Sequence, residues 1–167
     1  DVTTAVIAGC KDPAAGKCAS INGTGCSNVA GATTVADCPA GTYHDGNSAT
    51  GTCSNPGIGK CAAATSVASV CFTAAGAQFA LPCPVGTYSA STSSVTACNN
   101  PGIGHCVAAT SSDATCSSSA GAQAALPCPA GTYSIVTTEP VSACIYPGVG
   151  KCVAATAEAS TCSTSTG

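Results

Sequence analysis

The spacing of the 15 cysteines constrains this chain more than any other feature of its 167 residues. Successive cysteines follow a recurring cycle of about 8, 10, 12 and 15 residues, so a four-cysteine unit recurs about every 45 residues. Such a period is typical of arrays of small stacked units. The cycle divides the chain into repeats at 1–52, 53–97 and 98–143 and a partial repeat at 144–167. We therefore predict an elongated rod of disulfide-rich units, with short β-strands, loops and little helix.

The residues between the cysteines repeat as well. Segments 75–88 and 120–133 differ only at Phe79 and Val85 in the second repeat, and the Cys-Pro-x-Gly-Thr-Tyr part also occurs at 38–43. A Pro-Gly pair before the second cysteine of a unit predicts a tight turn, because glycine tolerates the positive φ that such turns require. One tyrosine fills the same position in each unit, and we expect it to pack on the local disulfide. These tyrosines are Tyr43, Tyr88 and Tyr133.

The composition explains why the chain needs its cysteines. Leu, Ile, Val and Phe together number only 23 of 167 residues, which is too few for one large hydrophobic core. Charged residues make up only 7% of the chain, whereas disordered chains are usually highly charged. Disulfides are the remaining source of order, and they persist in oxidising compartments. The sequence thus predicts an extracellular or cell-surface protein.

Periodicity restricts the disulfide pairing to two schemes, since each unit should pair alike. The favoured scheme closes the Cys-Pro-x-Gly-Thr-Tyr loop on itself and leaves Cys10 unpaired, because the array stops part-way through its fourth unit. Its bonds are Cys18–Cys26, Cys38–Cys53, Cys61–Cys71, Cys83–Cys98, Cys106–Cys116, Cys128–Cys144 and Cys152–Cys162. The alternative joins the first cysteine of each unit to the second and the third to the fourth, and leaves Cys162 unpaired.

Other functional classes lack their sequence signals. Zinc sites usually pair ligands two to four residues apart, but the closest cysteines here are eight positions apart, so no metal or other cofactor is expected. The net charge of −3 without a basic run argues against nucleic-acid binding. No apolar run approaches the length of a membrane span, so membrane contact is expected only through a lipid anchor.

The candidate catalytic residues also have structural explanations. His105 fills a position that lysine holds in other units, for example Lys60. His44 lies in a His-Asp-Gly-Asn segment that is typical of a turn. The seven carboxylates are scattered, without the recurring pairs that acid–base catalysis or calcium binding needs. We therefore predict that the protein is not an enzyme.

Several features indicate a glycoprotein. Asn22-Gly23-Thr24 is the only N-glycosylation sequon, and it lies in a shortened loop that should be exposed. Serine and threonine make up a quarter of the chain, which permits O-glycosylation. The small residues Ser165-Thr166-Gly167 are compatible with GPI attachment, and equally with an ordinary loop.

The periodic cysteines and the Ala-Gly-Ala-Gln…Leu-Pro-Cys-Pro-x-Gly-Thr-Tyr segments at 75–88 and 120–133 resemble the immobilization antigens, or variable surface antigens, of ciliates. The resemblance covers essentially the whole chain. It implies a GPI-anchored glycoprotein coat on the cell or cilium. It implies no catalytic role for any residue of this chain. The Cys-Pro-x-Gly-Thr-Tyr part alone also resembles the cysteine-rich modules of ephrin and tumour-necrosis-factor receptors.

We expect a structural surface glycoprotein that forms a coat or fibre and carries covalent glycans. Its repeat ends could complement each other, which predicts head-to-tail self-association into a filament. The alternative is a ligand-binding receptor or adhesin module, although the units differ mainly by exchange among small residues. A secreted protease inhibitor would need an exposed specificity residue, and Lys60 fits that role poorly because it recurs.

Overall fold

The computed structural model describes residues 12–28, 30–47, 51–67, 70–149 and 151–154. Its regular structure consists of six four-residue strands and, in this part of the chain, no helix. The strands are β1 (Lys17–Ser20), β2 (Thr34–Asp37), β3 (Lys60–Ala63), β4 (Phe79–Pro82), β5 (His105–Ala108) and β6 (Ala124–Pro127). A helix able to cross a lipid bilayer is likewise absent from these residues. The fold is the predicted disulfide-rich array of short strands and loops.

Each of the first three repeats contains one antiparallel ribbon. β1 pairs with β2, β3 with β4, and β5 with β6. The registers are equivalent, since Lys17 faces Asp37, Lys60 faces Pro82 and His105 faces Pro127. In the second and third ribbons a proline therefore ends the second strand, a position where the missing N–H does not interrupt the ribbon. The 45-residue period in the sequence is thus a period in the structure.

A glycine turn starts each ribbon. Gly57 and Gly102, which follow the prolines, have φ values of +86° and +87°, as the Pro-Gly pairs predict. The hydrogen-bonded turn lies one step further along the chain, where the Lys60 amide donates to the Gly57 carbonyl and Gly59 has a φ of +72°. The first repeat has Ala14 in place of Gly57 and keeps the same hydrogen bond, from the Lys17 amide to the Ala14 carbonyl.

The buried side chains are cysteine, alanine and valine rather than large hydrophobic groups. One cysteine in the first strand of each ribbon and one directly after the second strand are almost completely buried. They are Cys18, Cys38, Cys61, Cys83, Cys106 and Cys128. The three repeated tyrosines are half-buried. Covalent sulfur bridges therefore fill the space that leucine and phenylalanine occupy in an ordinary domain.

Six disulfides join described cysteines, and all six are pairs of the favoured scheme. They are Cys18–Cys26, Cys38–Cys53, Cys61–Cys71, Cys83–Cys98, Cys106–Cys116 and Cys128–Cys144. Their Cα–Cα distances of 5.4–5.8 Å are ordinary for disulfides. Cys152 is also disulfide-bonded. Its expected partner Cys162, and the predicted unpaired Cys10, lie outside the described residues.

Candidate functional site

The junction between successive repeats is formed by backbone groups. Between the first and second repeats, the Gly76 amide donates to the Cys38 carbonyl (2.8 Å) and the His44 amide to the Ala77 carbonyl (3.1 Å). The Val95 amide donates to the Gly41 carbonyl at 2.9 Å. We call the segment 38–44 the trailing face of its repeat, and residues 76–77 with Val95 the leading face of the next.

The junction between the second and third repeats has the same three hydrogen bonds. They run from the Gly121 amide to the Cys83 carbonyl, from the Ser89 amide to the Ala122 carbonyl and from the Val141 amide to the Gly86 carbonyl. Their lengths of 2.8, 3.2 and 2.9 Å match those of the first junction. Among the described residues, the backbone bonds that link repeats join only successive repeats. The junction is therefore a regular, repeated contact and not a local accident of packing.

Glycine is needed on the trailing face because the next repeat approaches so closely. A Cβ on Gly41 would lie 2.8 Å from the Val95 nitrogen, and one on Gly86 would lie 2.8 Å from the Val141 nitrogen. A Cβ on Gly16 would likewise collide with the Gly76 carbonyl oxygen of the next repeat. These distances are shorter than the van der Waals contacts of carbon with nitrogen or oxygen. Only glycine therefore lets the backbones of two successive repeats approach so closely.

The Cys-Pro-x-Gly-Thr-Tyr loop holds the trailing face in shape. Both the amide and the hydroxyl of Thr42 donate to the Pro39 carbonyl, at 3.0 and 2.8 Å, and Gly41 between them has a φ of +81°. Tyr43 then exchanges two backbone hydrogen bonds with Ser54. The same pattern recurs around Thr87 and Thr132. A double hydrogen bond and a disulfide thus hold each of these loops in shape.

Neighbouring disulfides are also in contact. The Cys26 and Cys53 sulfurs are 3.4 Å apart, those of Cys71 and Cys98 are 3.5 Å apart, and those of Cys116 and Cys144 are 3.7 Å apart. Each contact creates a cluster of three sulfurs that is compact enough to surround a metal ion. However, every sulfur in these clusters belongs to a disulfide, whereas metals bind the free thiolate. In the oxidised protein the clusters are therefore pairs of packed disulfides with a structural role.

The candidate catalytic groups have local structural roles. His105 lies on β5, and its Nδ1 is 2.8 Å from the Ile103 carbonyl oxygen. His44 forms the predicted turn, since its Nδ1 accepts from the Gly46 amide, but its side chain is only 2% exposed. Asp45 and Asp113 accept backbone amide hydrogen bonds in their own turns. These contacts shape loops and do not assemble a nucleophile with a base.

The sequon lies in an exposed bend, residues 21–25, as its short loop predicts. Asn22 Oδ1 accepts from the Thr24 amide at 3.2 Å and from the Thr24 hydroxyl at 2.8 Å. Thr65 and Thr110 occupy the same position after Cys61 and Cys106, and both are exposed although their repeats make junctions. A modification at this position is therefore compatible with stacking of the repeats.

A shallow open groove of about 250 Å³ next to Cys71 and Cys98 is lined by small apolar and hydroxyl side chains. Its volume lies below the range of about 300–1,000 Å³ that is usual for small-molecule sites, and no charged group lines it. Comparisons with protein-family profiles, characterised proteins and solved structures found no match to this chain.

Sequence reasoning missed the leading face. Gly76-Ala77 and Gly121-Ala122 were recognised as repeated residues, but their sequence gives them no chemical role, because they act through the backbone. The signal was present in the dipeptide Gly-Ala placed seven residues before Cys38, Cys83 and Cys128. A small dipeptide at a fixed distance from a cysteine indicates a close backbone contact, since larger side chains would separate the two chains.

Proposed function

We propose that this chain is a structural glycoprotein of an extracellular or cell-surface coat or fibre, and not an enzyme. The observation that carries the proposal is the repeated junction, in which the same three backbone hydrogen bonds and a flanking disulfide join the first repeat to the second and the second to the third. A contact made by the backbone extends a chain of repeats without requiring a particular side-chain chemistry at the junction. That arrangement suits a scaffold better than a binding pocket.

The dense disulfide bonding is typical of proteins in oxidising, extracellular environments. It also suits a protein that must survive outside the cell. Closing a loop of about 15 residues contributes roughly 3 kcal/mol in the chain-entropy model. Because the cores contain little besides cysteine, alanine and valine, we expect the reduced chain to unfold.

Glycosylation at Asn22 is part of the proposal. The exposed bend at 21–25 is accessible to the transferase, and large aliphatic side chains elsewhere are exposed, such as Val67 and Val70 at 88% and 70%. A sugar layer on Asn22 and on surface serines and threonines would cover such apolar surface. The resemblance to ciliate surface antigens further suggests a lipid-anchored coat, which is the only membrane attachment that we propose.

Intact mass spectrometry of the native protein tests the proposal. We expect the mass to fall on enzymatic deglycosylation and to rise by two hydrogens per disulfide on reduction. A second measurement is antibody labelling of intact cells that produce the protein, with an internal protein as the control. Labelling only after permeabilisation would contradict a coat or fibre outside the cell, whatever the sugar content.

A further inference from the structure

The two disulfides of the first repeat lie against each other, and each has one buried and one accessible sulfur. Cys18 and Cys38 are both 0% exposed. Their bonded partners are accessible, since Cys26 is exposed and Cys53 is half-buried. The accessible sulfurs make the contact between the two bonds, with the Cys26 and Cys53 Sγ atoms 3.4 Å apart. A thiolate in solution therefore meets an accessible sulfur first, and the buried sulfur becomes the leaving group.

The same arrangement recurs in the next two units. The half-buried sulfurs of Cys71 and Cys98 are 3.5 Å apart, and those of Cys116 and Cys144 are 3.7 Å apart. Their bonded partners lie on or directly after the ribbon strands and are buried. These partners are Cys61, Cys83, Cys106 and Cys128. The contact between accessible sulfurs is therefore a property of the repeat unit.

The contact places a potential nucleophile beside an electrophile. Thiol–disulfide exchange needs a thiolate next to a disulfide sulfur. A thiolate at Cys26 would already touch Cys53, so its attack on the neighbouring bond would be intramolecular and fast. That attack would form a bond between Cys26 and Cys53 and release Cys38. The two cysteines left as thiols would then be the buried ones.

The buried positions suit neutral thiols. Cys18 Sγ lies 3.5 Å from the Ala36 carbonyl oxygen, which can accept a hydrogen bond from an S–H group after reduction. A free cysteine in a protein core behaves as a small hydrophobic residue, and only the thiolate is a nucleophile. Burial therefore disfavours the reverse attack by Cys18 or Cys38, and it favours the disulfide between the accessible cysteines.

We propose that each of these units is a thiol-exchange site, at which a small external thiol transfers the disulfide from the buried cysteines to the accessible pair. The bonds formed are Cys26–Cys53, Cys71–Cys98 and Cys116–Cys144. Each unit then stays cross-linked after its first reduction, with two thiols stored in its core. This activity goes beyond the proposed coat or fibre and does not depend on it.

The reaction balances with a dithiol, such as dithiothreitol, as the reductant. Its first thiolate attacks Cys26, so the Cys18–Cys26 bond breaks and the Cys18 sulfur takes a proton. The second thiolate of the reductant attacks its own sulfur in the mixed disulfide, which releases the Cys26 thiolate and the oxidised cyclic reductant. The Cys26 thiolate then attacks Cys53, and Cys38 leaves and takes the second proton. Each unit thus gains two electrons and two protons and keeps one disulfide.

Cys18→Ala creates the attacking thiolate without any reductant, because it leaves Cys26 without its partner. We expect most of the folded variant to contain a Cys26–Cys53 bond and a free thiol at Cys38. Peptide mapping at acidic pH, after alkylation of the free thiols, identifies the bonds. An alkylated Cys26 beside an intact Cys38–Cys53 bond would overturn the proposal.

Cys26→Ala is the matched control, because it removes the same disulfide but leaves the free thiol on the buried cysteine. Cys18 Sγ also lies within 4.8 Å of Cys53 Sγ, so proximity alone would permit exchange. We expect burial to keep Cys18 as a thiol and the Cys38–Cys53 bond to stay intact. Exchange in both variants to the same extent would contradict the direction that we assign to the reaction.

Limited reduction of the unsubstituted chain tests the proposal even where Cys18→Ala fails to fold. The oxidised full-length chain, with any free thiols blocked, receives one dithiothreitol for each repeat and is then quenched with acid and alkylated. We expect the alkyl label on the buried cysteines and new bonds between the accessible ones. Equal labelling of both members of each native pair, without those new bonds, would overturn the proposal. Reduction in guanidinium chloride is the control, since an unfolded chain should not favour the accessible pairs.

Discussion

The first and third repeats share one framework and differ in what surrounds it. Both have a two-stranded ribbon, two disulfides and a Pro-x-Gly-Thr turn with the same hydrogen bonds. Among the residues that the structure describes, none lies close to Gly131 of the third repeat, whereas Gly41 of the first lies against the second repeat. The shared features are those that a repeat needs to fold, and the described difference is the contact that Gly41 makes with the next repeat.

The surfaces beside the two trailing faces also differ. Three positions around Tyr43 are polar, whereas their equivalents around Tyr133 are apolar. The polar residues are Asp45, Ser54 and Asn55, and the apolar ones are Ile135, Ile145 and Tyr146. The apolar three are 72%, 53% and 79% exposed. Hydrophobic side chains are thus exposed beside the trailing face of the third repeat.

Removing one disulfide from each repeat should give the largest effect. The Cys38–Cys53 and Cys128–Cys144 bonds close loops of nearly equal separation, 15 and 16 residues. The double substitutions to alanine should each lower the free energy of unfolding by about 3 kcal/mol. The Cys38 pair should lose more, because a loop without its disulfide also holds less firmly the Cys38 carbonyl that accepts the junction bond from Gly76. Equal losses in denaturant titrations would mean that the junction adds little stability.

Alanine at the two trailing-face glycines isolates the junction itself. Gly41 and Gly131 have φ values of +81° and +82°, so Gly41→Ala and Gly131→Ala carry the same backbone strain, about 1–2 kcal/mol. Only Gly41→Ala also forces a methyl group against Val95, which should add about 1–3 kcal/mol. Thermal unfolding of the dilute, monomeric protein measures the difference, and its absence would contradict the close contact at Gly41.

Ser134→Ala should leave stability unchanged or raise it by up to about 1 kcal/mol, because it removes a buried hydroxyl that has no hydrogen-bond partner among the described residues. Ser89→Ala is the matched control, and it should lose about 0.5–1 kcal/mol with its hydrogen bond to the Ser91 amide. The measurement is chemical denaturation of dilute protein. A clear loss for Ser134→Ala would show that its hydroxyl is satisfied in solution.

The smallest effect is expected at the ion pair that only the first ribbon has. Lys17 Nζ lies 2.6 Å from Asp37 Oδ1, and both side chains are about half exposed. Exposed pairs contribute about 0–1 kcal/mol. Lys17→Ala should therefore lose under about 1 kcal/mol, and Lys60→Ala, which faces Pro82, should lose nothing. Salt should screen the pair, so the difference in stability loss between Lys17→Ala and Lys60→Ala should disappear in molar salt. A difference that persists there would contradict an exposed surface pair.

Much of the framework was predictable because cysteine spacing is a covalent constraint. The repeat period, the short strands and the pairs of the favoured scheme all follow from loops that must close alike. The tyrosines were harder to interpret. That they pack on the local disulfides stays a prediction. In the structure they are half-buried, and Tyr43 forms backbone bridges with Ser54 and Ala77.

The sequence by itself determined the repeat, because equal spacings of cysteine, proline and glycine require equal loops and turns. Only the tertiary structure decided how one repeat meets the next. That contact is made by carbonyl and amide groups of residues such as Gly76, Ala77 and Gly41, and every residue carries those groups. A side-chain pattern can show that a position must be small, but the backbone group that approaches it is fixed by the fold.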